Sequence, residues 1–159
     1  YAEVIQINYD PKVVSYGELL RIHMGTHDPT TLNAQGADMG TQYRSIILYR
    51  SNQERQIAED LLEEISDTFD SDIVTVVKDF DRFYPAPEEH DDYYNRNPNQ
   101  GYCQAVISPK IAKFRRTFQY LLSPEKWIIR SDLFSLTLDF QFFVIGASKA
   151  AQDTRAYWD

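Results

Sequence analysis

Between an apolar helical pattern that includes His23 and an apolar strand that begins near Ser45 runs the stretch His27-Asp28-Pro29-Thr30-Thr31-Leu32-Asn33-Ala34-Gln35-Gly36-Ala37-Asp38-Met39-Gly40-Thr41-Gln42-Tyr43-Arg44-Ser45. Its glycines, proline and short polar side chains can continue neither flanking element, so the chain must leave a helix, travel as a loop and return as a strand. Loops held on a rigid scaffold are where binding and catalytic groups concentrate. One of this length can fold over itself and line a pocket. The same composition also suits a plain connector whose glycines only supply turns.

The rest of the chain reads as the scaffold. Val4 to Tyr9 alternates apolar and polar after its first residue, which suits a strand with one buried face, and Asp10-Pro11 stops it. Ser15-Tyr16-Gly17-Glu18 is a capping-box pattern ahead of a helix whose Tyr16, Leu19, Leu20 and His23 share one face. Ser45 to Tyr49 is a short buried-strand run, and Ser51-Asn52-Gln53-Glu54 is a second capping box before a helix carrying Ile57, Leu61, Leu62 and Ile65. Asp72 to Val77, rich in β-branched residues, is the next expected strand. After Pro85 and Pro87 comes an acidic, tyrosine-rich segment from Glu88 to Tyr94, then turn chemistry from Asn97 to Gly101. A fourth helix starts at Ser108-Pro109, with Ile111, Phe114, Phe118 and Leu121 toward the core and Lys110, Lys113, Arg115 and Arg116 toward solvent. Leu136 to Ile145 has strand character, and Ser148 to Trp158 could form a helix capped by Ser148.

At 159 residues and 43% hydrophobic, the chain is long enough for one domain with a sizeable core. A net charge of -8 opposes general attraction to nucleic acid or an anionic membrane, because phosphate binding needs a concentrated cationic surface. One cysteine, Cys103, cannot make an intrachain disulfide, so a reducing compartment, cytoplasmic or organellar, fits best. No apolar run reaches the length of a membrane span, and no basic, apolar targeting segment is visible. His23, His27 and His90 lie near aspartates but without compact ligand spacing, so no metal site is expected and hydrogen-bonded or solvated histidines are the simpler reading. Neither a phosphate-binding glycine loop nor a nucleophile elbow is present, and no cofactor is indicated.

The run HDPTTLNAQGADMGTQYRS closely resembles the signature loop of the methionine sulfoxide reductase A family, the peptide-methionine (S)-S-oxide reductases. Further matches follow in the same order: Tyr1-Ala2-Glu3-Val4 with Tyr9-Asp10-Pro11, Phe83-Tyr84-Pro85-Ala86 through His90 and Tyr93, and Gly101-Tyr102-Cys103. The resemblance covers residues 1–122 as a reductase A-like domain and leaves 123–159 as an unassigned tail. It implies an α+β fold with a split βαβ (ferredoxin-like) core, a mixed sheet and long irregular loops. The family's Gly-Cys-Phe-Trp-Gly motif, which carries the nucleophilic cysteine, does not occur in these residues. The resemblance therefore implies a chain that opens where the family's third strand begins, without the first strand, first helix and nucleophile.

Residue by residue, the resemblance places the acid that protonates or hydrogen-bonds the sulfoxide oxygen at Glu3, and the oxygen-holding tyrosines at Tyr43 and Tyr93. Asp38 and Tyr102 match substrate-binding positions, and Cys103 matches a late redox cysteine. A neutral, partly buried carboxyl is a fitting donor to an oxygen that gains basicity as sulfur is attacked. On residue type alone Glu3 is an exposed strand-end carboxylate and Cys103 a small buried hydrophobe. The implied activity is reduction of methionine-S-sulfoxide in oxidised proteins, by a monomer with thioredoxin as reductant. Lacking the nucleophile, this chain is expected to be inactive as given. The alternatives are a non-catalytic binder of oxidised methionine peptides and a nonfunctional fragment. The tail has two readings as well: it enters the sheet in place of the absent strand, or it packs loosely.

Overall fold

The computed structural model describes residues 2–90 and 92–121, and the backbone of Phe143–Ala147 and Thr154–Ala156. Strand β1 (Val4–Tyr9) ends at Asp10, whose carbonyl accepts from the amides of Val13 and Val14. Helix α1 (Tyr16–Thr26) then starts at a complete capping box, Ser15 accepting from the Glu18 amide while the Glu18 carboxylate accepts from the Ser15 amide. Loss of such a cap costs about 1 kcal/mol. Tyr16, Leu19, Leu20, Ile22, His23 and Met24 are the buried side of α1.

The signature loop contains a minimal hairpin, β2 (Ala34–Gln35) antiparallel to β3 (Asp38–Met39), and its turn holds Gly36 at φ 58°. The loop returns as β4 (Ile46–Tyr49), followed by α2 (Asn52–Ile65) and β5 (Val76–Asp79). Short α3 (Tyr93–Arg96) and α4 (Ser108–Thr117) follow, then β6 (Phe143–Ala147) and β7 (Thr154–Ala156). The sheet order is β5-β4-β6-β1-β7, with the first four strands parallel and β7 antiparallel to β1. This is a mixed α/β architecture.

Alternation along the strands divides the core in two. Ile5 and Ile7 of β1 and Ile47 of β4 face α1, α2 and α4, where they meet Leu19, Leu20, Leu61, Phe114 and Phe118. Val4 and Ile46 face the opposite side, against Ala2, Tyr43, Leu48, Phe80 and Phe83. The helix faces expected from spacing are the buried ones: Ile111, Phe114, Phe118 and Leu121 are at most 8% exposed.

Four local expectations change. The strand expected over Asp72 to Val77 starts later, at Val76, because the residues before it serve the loop: the Val74 amide donates to the Pro29 carbonyl and the Thr75 hydroxyl pairs with Ser45. The second capping box is half formed, since Ser51 accepts from the Glu54 amide but the Glu54 carboxylate takes the Arg50 amide. The fourth helix begins earlier than Ser108, as a π-helical turn over Cys103–Ile107. Pro109 has no amide to offer and would crowd the carbonyl four residues back, and the wider turn gives Cys103's carbonyl the amide and hydroxyl of Ser108 instead. In the tail, Thr154–Ala156 is a strand where a helix from Ser148 was expected, its backbone pairing with Val4, Ile5 and Gln6. An open sheet edge overrides local helix preference. Of the strand expected over Leu136 to Ile145, Phe143 onward lies in β6, between β1 and β4, and residues 136–142 and 148–153 lie outside the described ones.

Candidate functional site

Glu3 immediately precedes β1, and its amide donates to the Gln42 carbonyl at 2.9 Å, which ties the strand's entry to the end of the signature loop. Burial, and then the Asp38 carboxylate, raise its carboxyl to about 7. Asp38 arrives on β3, and Tyr43 closes the 3₁₀ turn Thr41–Tyr43. The Glu3 carboxyl, followed by burial and Asp38, keeps the Tyr43 phenol above its ordinary range, while a hydrogen bond with Gln42 pulls the other way. Glu3, from the start of the chain, is thus brought up to Asp38 and Tyr43 of the signature loop. A cleft of about 220 Å³ is lined by Ala2, Arg44, Ile46, Leu48, Lys78 and Arg82 among others, chain neighbours of Glu3 and Tyr43 but not those residues themselves.

The loop's shape comes from its own polar side chains. Asp28 accepts from the amide and hydroxyl of Thr30, which holds its carboxyl below the ordinary range. The Gln35 amide group, 6% exposed, grips Asp28's backbone twice, accepting from its N–H and donating to its C=O. Gly40 sits at φ 145°, a backbone conformation that favours glycine; a Cβ there would press only on the flexible end of the Gln42 side chain.

Beneath the loop lies a polar chain that sequence reasoning missed. His27 caps the end of α1 and stacks on His23 with ring centroids 4.0 Å apart. Its Nδ1 is 2.7 Å from the His23 carbonyl and its Nε2 2.7 Å from Ser45 Oγ, which is 2.7 Å from Thr75 Oγ1. A carbonyl only accepts, so Nδ1 carries the hydrogen; in the neutral ring Nε2 then accepts from Ser45, and Ser45 from Thr75. Burial pushes His27 down to about 4 and His23 well below its usual range. The signal in the sequence was a pair of hydroxyls, Ser45 at the head of one apolar run and Thr75 inside the next.

Tyr93 and Cys103 belong to a hydrophobic cluster separate from the one that holds Tyr43. The Tyr93 phenol donates to Gln100, whose amide donates to Asn97, and the ring packs on Cys103, Ile107 and Ile111. Tyr102 is 44% exposed and Cys103 fully buried. Because Ser108 directs its hydrogen to the Cys103 carbonyl, the Tyr94 hydroxyl is the donor in its 3.0 Å contact with Ser108. Among the described residues no group of three or more His, Cys, Asp or Glu is placed to hold a metal ion.

The comparisons with known proteins bear on this arrangement. The family model for peptide methionine sulfoxide reductase matches residues 1–121. Peptide methionine sulfoxide reductase MsrA 1 of Rhodopirellula baltica is 49% identical over 118 residues, 74% of this chain and 62% of that protein. MsrA of Nitratiruptor is 46% identical over 121 residues, 76% of this chain and 70% of that protein. Among solved structures, reduced Mxr1 of Saccharomyces cerevisiae aligns with TM-score 0.57 and 38% identity, covering 60% of this chain and 52% of its own. Methionine sulfoxide reductase A of Corynebacterium diphtheriae aligns with TM-score 0.54 and 33% identity, covering 58% and 49%. The chain thus spans less than two thirds of the first relative's length and about half of each solved chain. With most of its length matched by the family model and nearly half of the aligned residues identical in these relatives, the chain belongs to the peptide methionine sulfoxide reductase family.

Proposed function

We propose that the chain carries the sulfoxide-binding side of a peptide-methionine (S)-S-oxide reductase, and that these 159 residues bind oxidised methionine in peptides without themselves supplying the nucleophile. The observation that carries the reading is Glu3, with its carboxyl raised to about 7 by burial and Asp38. A sulfoxide oxygen accepts hydrogen bonds and has none to give, so its partner must donate. A carboxyl that keeps its proton near neutral pH donates where a carboxylate would repel. In the family's reaction a cysteine thiolate attacks the sulfur, the oxygen is protonated, and the resulting sulfenic acid is returned to thiol through a disulfide that thioredoxin reduces.

In this reading Glu3 is the donor and Tyr43 a second holder of the oxygen, supported by their coupling. Asp38 keeps Glu3 protonated from the substrate side. Tyr93 joins by turning its phenol from Gln100, and Tyr102 supplies an exposed ring at the rim. Buried Cys103, the one cysteine of the 159 residues, acts as a packing residue rather than a nucleophile. The core is read as a split βαβ unit, supported by parallel β1 and β4 joined across β6 by α1. Residues 1–122 form the reductase-like unit, to which the tail adds strands. The chain is read as a monomer of a reducing compartment; among the described residues no helix is long and apolar enough to cross a membrane.

A reductase assay with dithiothreitol and a chiral methyl sulfoxide, paired with calorimetry, tests the reading. No product, with tighter binding of the S than the R sulfoxide and weakening by Glu3→Gln, is the expected result. Product formation abolished by Cys103→Ser refutes the non-catalytic assignment. Equal affinity for the two epimers, or none for either, refutes the binding site.

A further inference from the structure

The chain has two methionines, and the fold treats them oppositely: Met24, inside α1, is 3% exposed, whereas Met39, on β3, is 80% exposed. Strand alternation explains the second. Asp38 and Met39 are successive residues of β3, so their side chains leave the strand on opposite faces, that of Met39 into solvent. Leu32, earlier in the same loop, is 73% exposed as well. The backbone holds Met39 in place while its side chain stays exposed: Ala34 is its strand partner, and the following Gly40 amide donates to the Asn33 carbonyl.

We propose that Met39 is a site of reversible oxidation, presented outward by the signature loop as a substrate for a methionine-S-sulfoxide reductase acting in trans. In the forward step the thioether sulfur attacks one oxygen of hydrogen peroxide, the O–O bond breaks, and sulfoxide and water are formed. In the reverse step two thiols supply two electrons and two protons, the sulfoxide oxygen leaves as water, and a disulfide is formed. The fold makes the forward step selective. Peroxide reaches Met39 directly but Met24 and Cys103, fully buried, only after the core opens. The fold also makes the oxidised chain durable, because a polar sulfoxide in solvent disturbs no packing, whereas one at Met24 would sit in the apolar core. Because Met39 leaves β3 into solvent, on the face opposite Asp38, its sulfoxide is available to a second molecule.

The folded chain is incubated with hydrogen peroxide, and oxygen uptake is followed by intact mass and peptide mapping. Uptake of one oxygen at Met39, with Met24 at least about tenfold slower, is expected, since Met24 reacts only from opened states. Met39→Leu, a surface change that leaves the core untouched, removes the fast uptake; the thermal midpoint of the singly oxidised protein stays that of the parent. A catalytically competent methionine-S-sulfoxide reductase with dithiothreitol then returns about half of the product to its original mass, because peroxide produces both epimers and the enzyme takes one. Oxidation of Met24 as fast as Met39, or unchanged uptake in Met39→Leu, overturns the site. Retention of all the oxygen while free methionine-S-sulfoxide is reduced in the same tube overturns the reversibility. Neither outcome bears on the chain's own sulfoxide binding.

Discussion

Two titratable pairs bracket the signature loop, and burial moves them in opposite directions on the pH scale to the same end. At one side, burial and the neighbouring Asp38 raise Glu3 to about 7; at the other, burial lowers His27 to about 4 against stacked His23. Each shift removes a charge from a site with little water, the acid by keeping its proton and the bases by losing theirs. The difference lies in what surrounds them. His27 is hydrogen-bonded at both ring nitrogens, to His23 and Ser45, and acts as structure. Glu3 is only half-buried and keeps its proton near neutral pH within reach of solvent, which suits chemistry.

The largest break in this comparison is His27→Ala. It removes the cap on the His23 carbonyl and strands Ser45 and Thr75 together, and should lower unfolding free energy by about 2–4 kcal/mol, read from urea melts. A loss below about 0.5 kcal/mol contradicts the anchoring role.

The pH dependence comes next. The folded His27 value of about 4 lies below its ordinary 6.5, so the unfolded chain binds the extra proton between those values. This contribution is complete above the ordinary value and is lost as pH falls through the folded one, about 2–3 kcal/mol in all, with His23 acting in the same sense. Glu3 runs the other way: its folded value of about 7 exceeds the ordinary 4.5. Its contribution is present below the ordinary value and lost as pH rises through the folded one, about 1–2 kcal/mol after discounting for solvent at a half-buried site. Over the shared window the Glu3 slope opposes the histidine slopes. Glu3→Gln should therefore steepen the rise of stability with pH there, and identical profiles for variant and parent contradict the raised Glu3.

Smaller is Thr75→Val, an isosteric change that leaves Ser45 giving a hydrogen to His27 and receiving none, for about 1–2 kcal/mol. Thr75→Ser should recover most of it; failure to recover assigns the loss to packing. Smallest is Asp38→Asn. Carboxyl-carbon NMR should show the Glu3 midpoint moving down from about 7 yet staying above 4.5, because burial is the larger cause. An unmoved midpoint rules out the coupling.

What the sequence told about these regions follows from how local the determining interactions are. The capping box at Ser15, the buried face of α1 and the apolar stripe of α4 were readable because their partners lie within four residues. Glu3, Asp38 and Tyr43 were readable only through resemblance, since no local pattern joins a residue before β1 to one on β3. The His27, Ser45 and Thr75 chain escaped notice because each member has an ordinary local role, as helix cap, strand head and β-branched residue. The same competition explains the late start of β5, where Val74 and Thr75 bind the loop. Thr154–Ala156 was misjudged because its conformation is set by the edge of β1, nearly a whole chain away.

The position of β6 between β1 and β4 has a consequence for biogenesis. Ile5 pairs with Phe143 and Ile47 also pairs with Phe143, so strands made early meet across one made late. Until β6 is made, β4 is paired with β5 alone among the described strands, and the edges of β1 and β4 that β6 will join stay open to neighbouring chains. Closure waits on contacts of very large sequence separation, whose loop entropy must be overcome before any hydrogen bond in the middle of the sheet forms. Folding yield should therefore track how quickly the last strands emerge, and a holdase that shields nascent edges would matter more for this chain than for one whose sheet grows in sequence order.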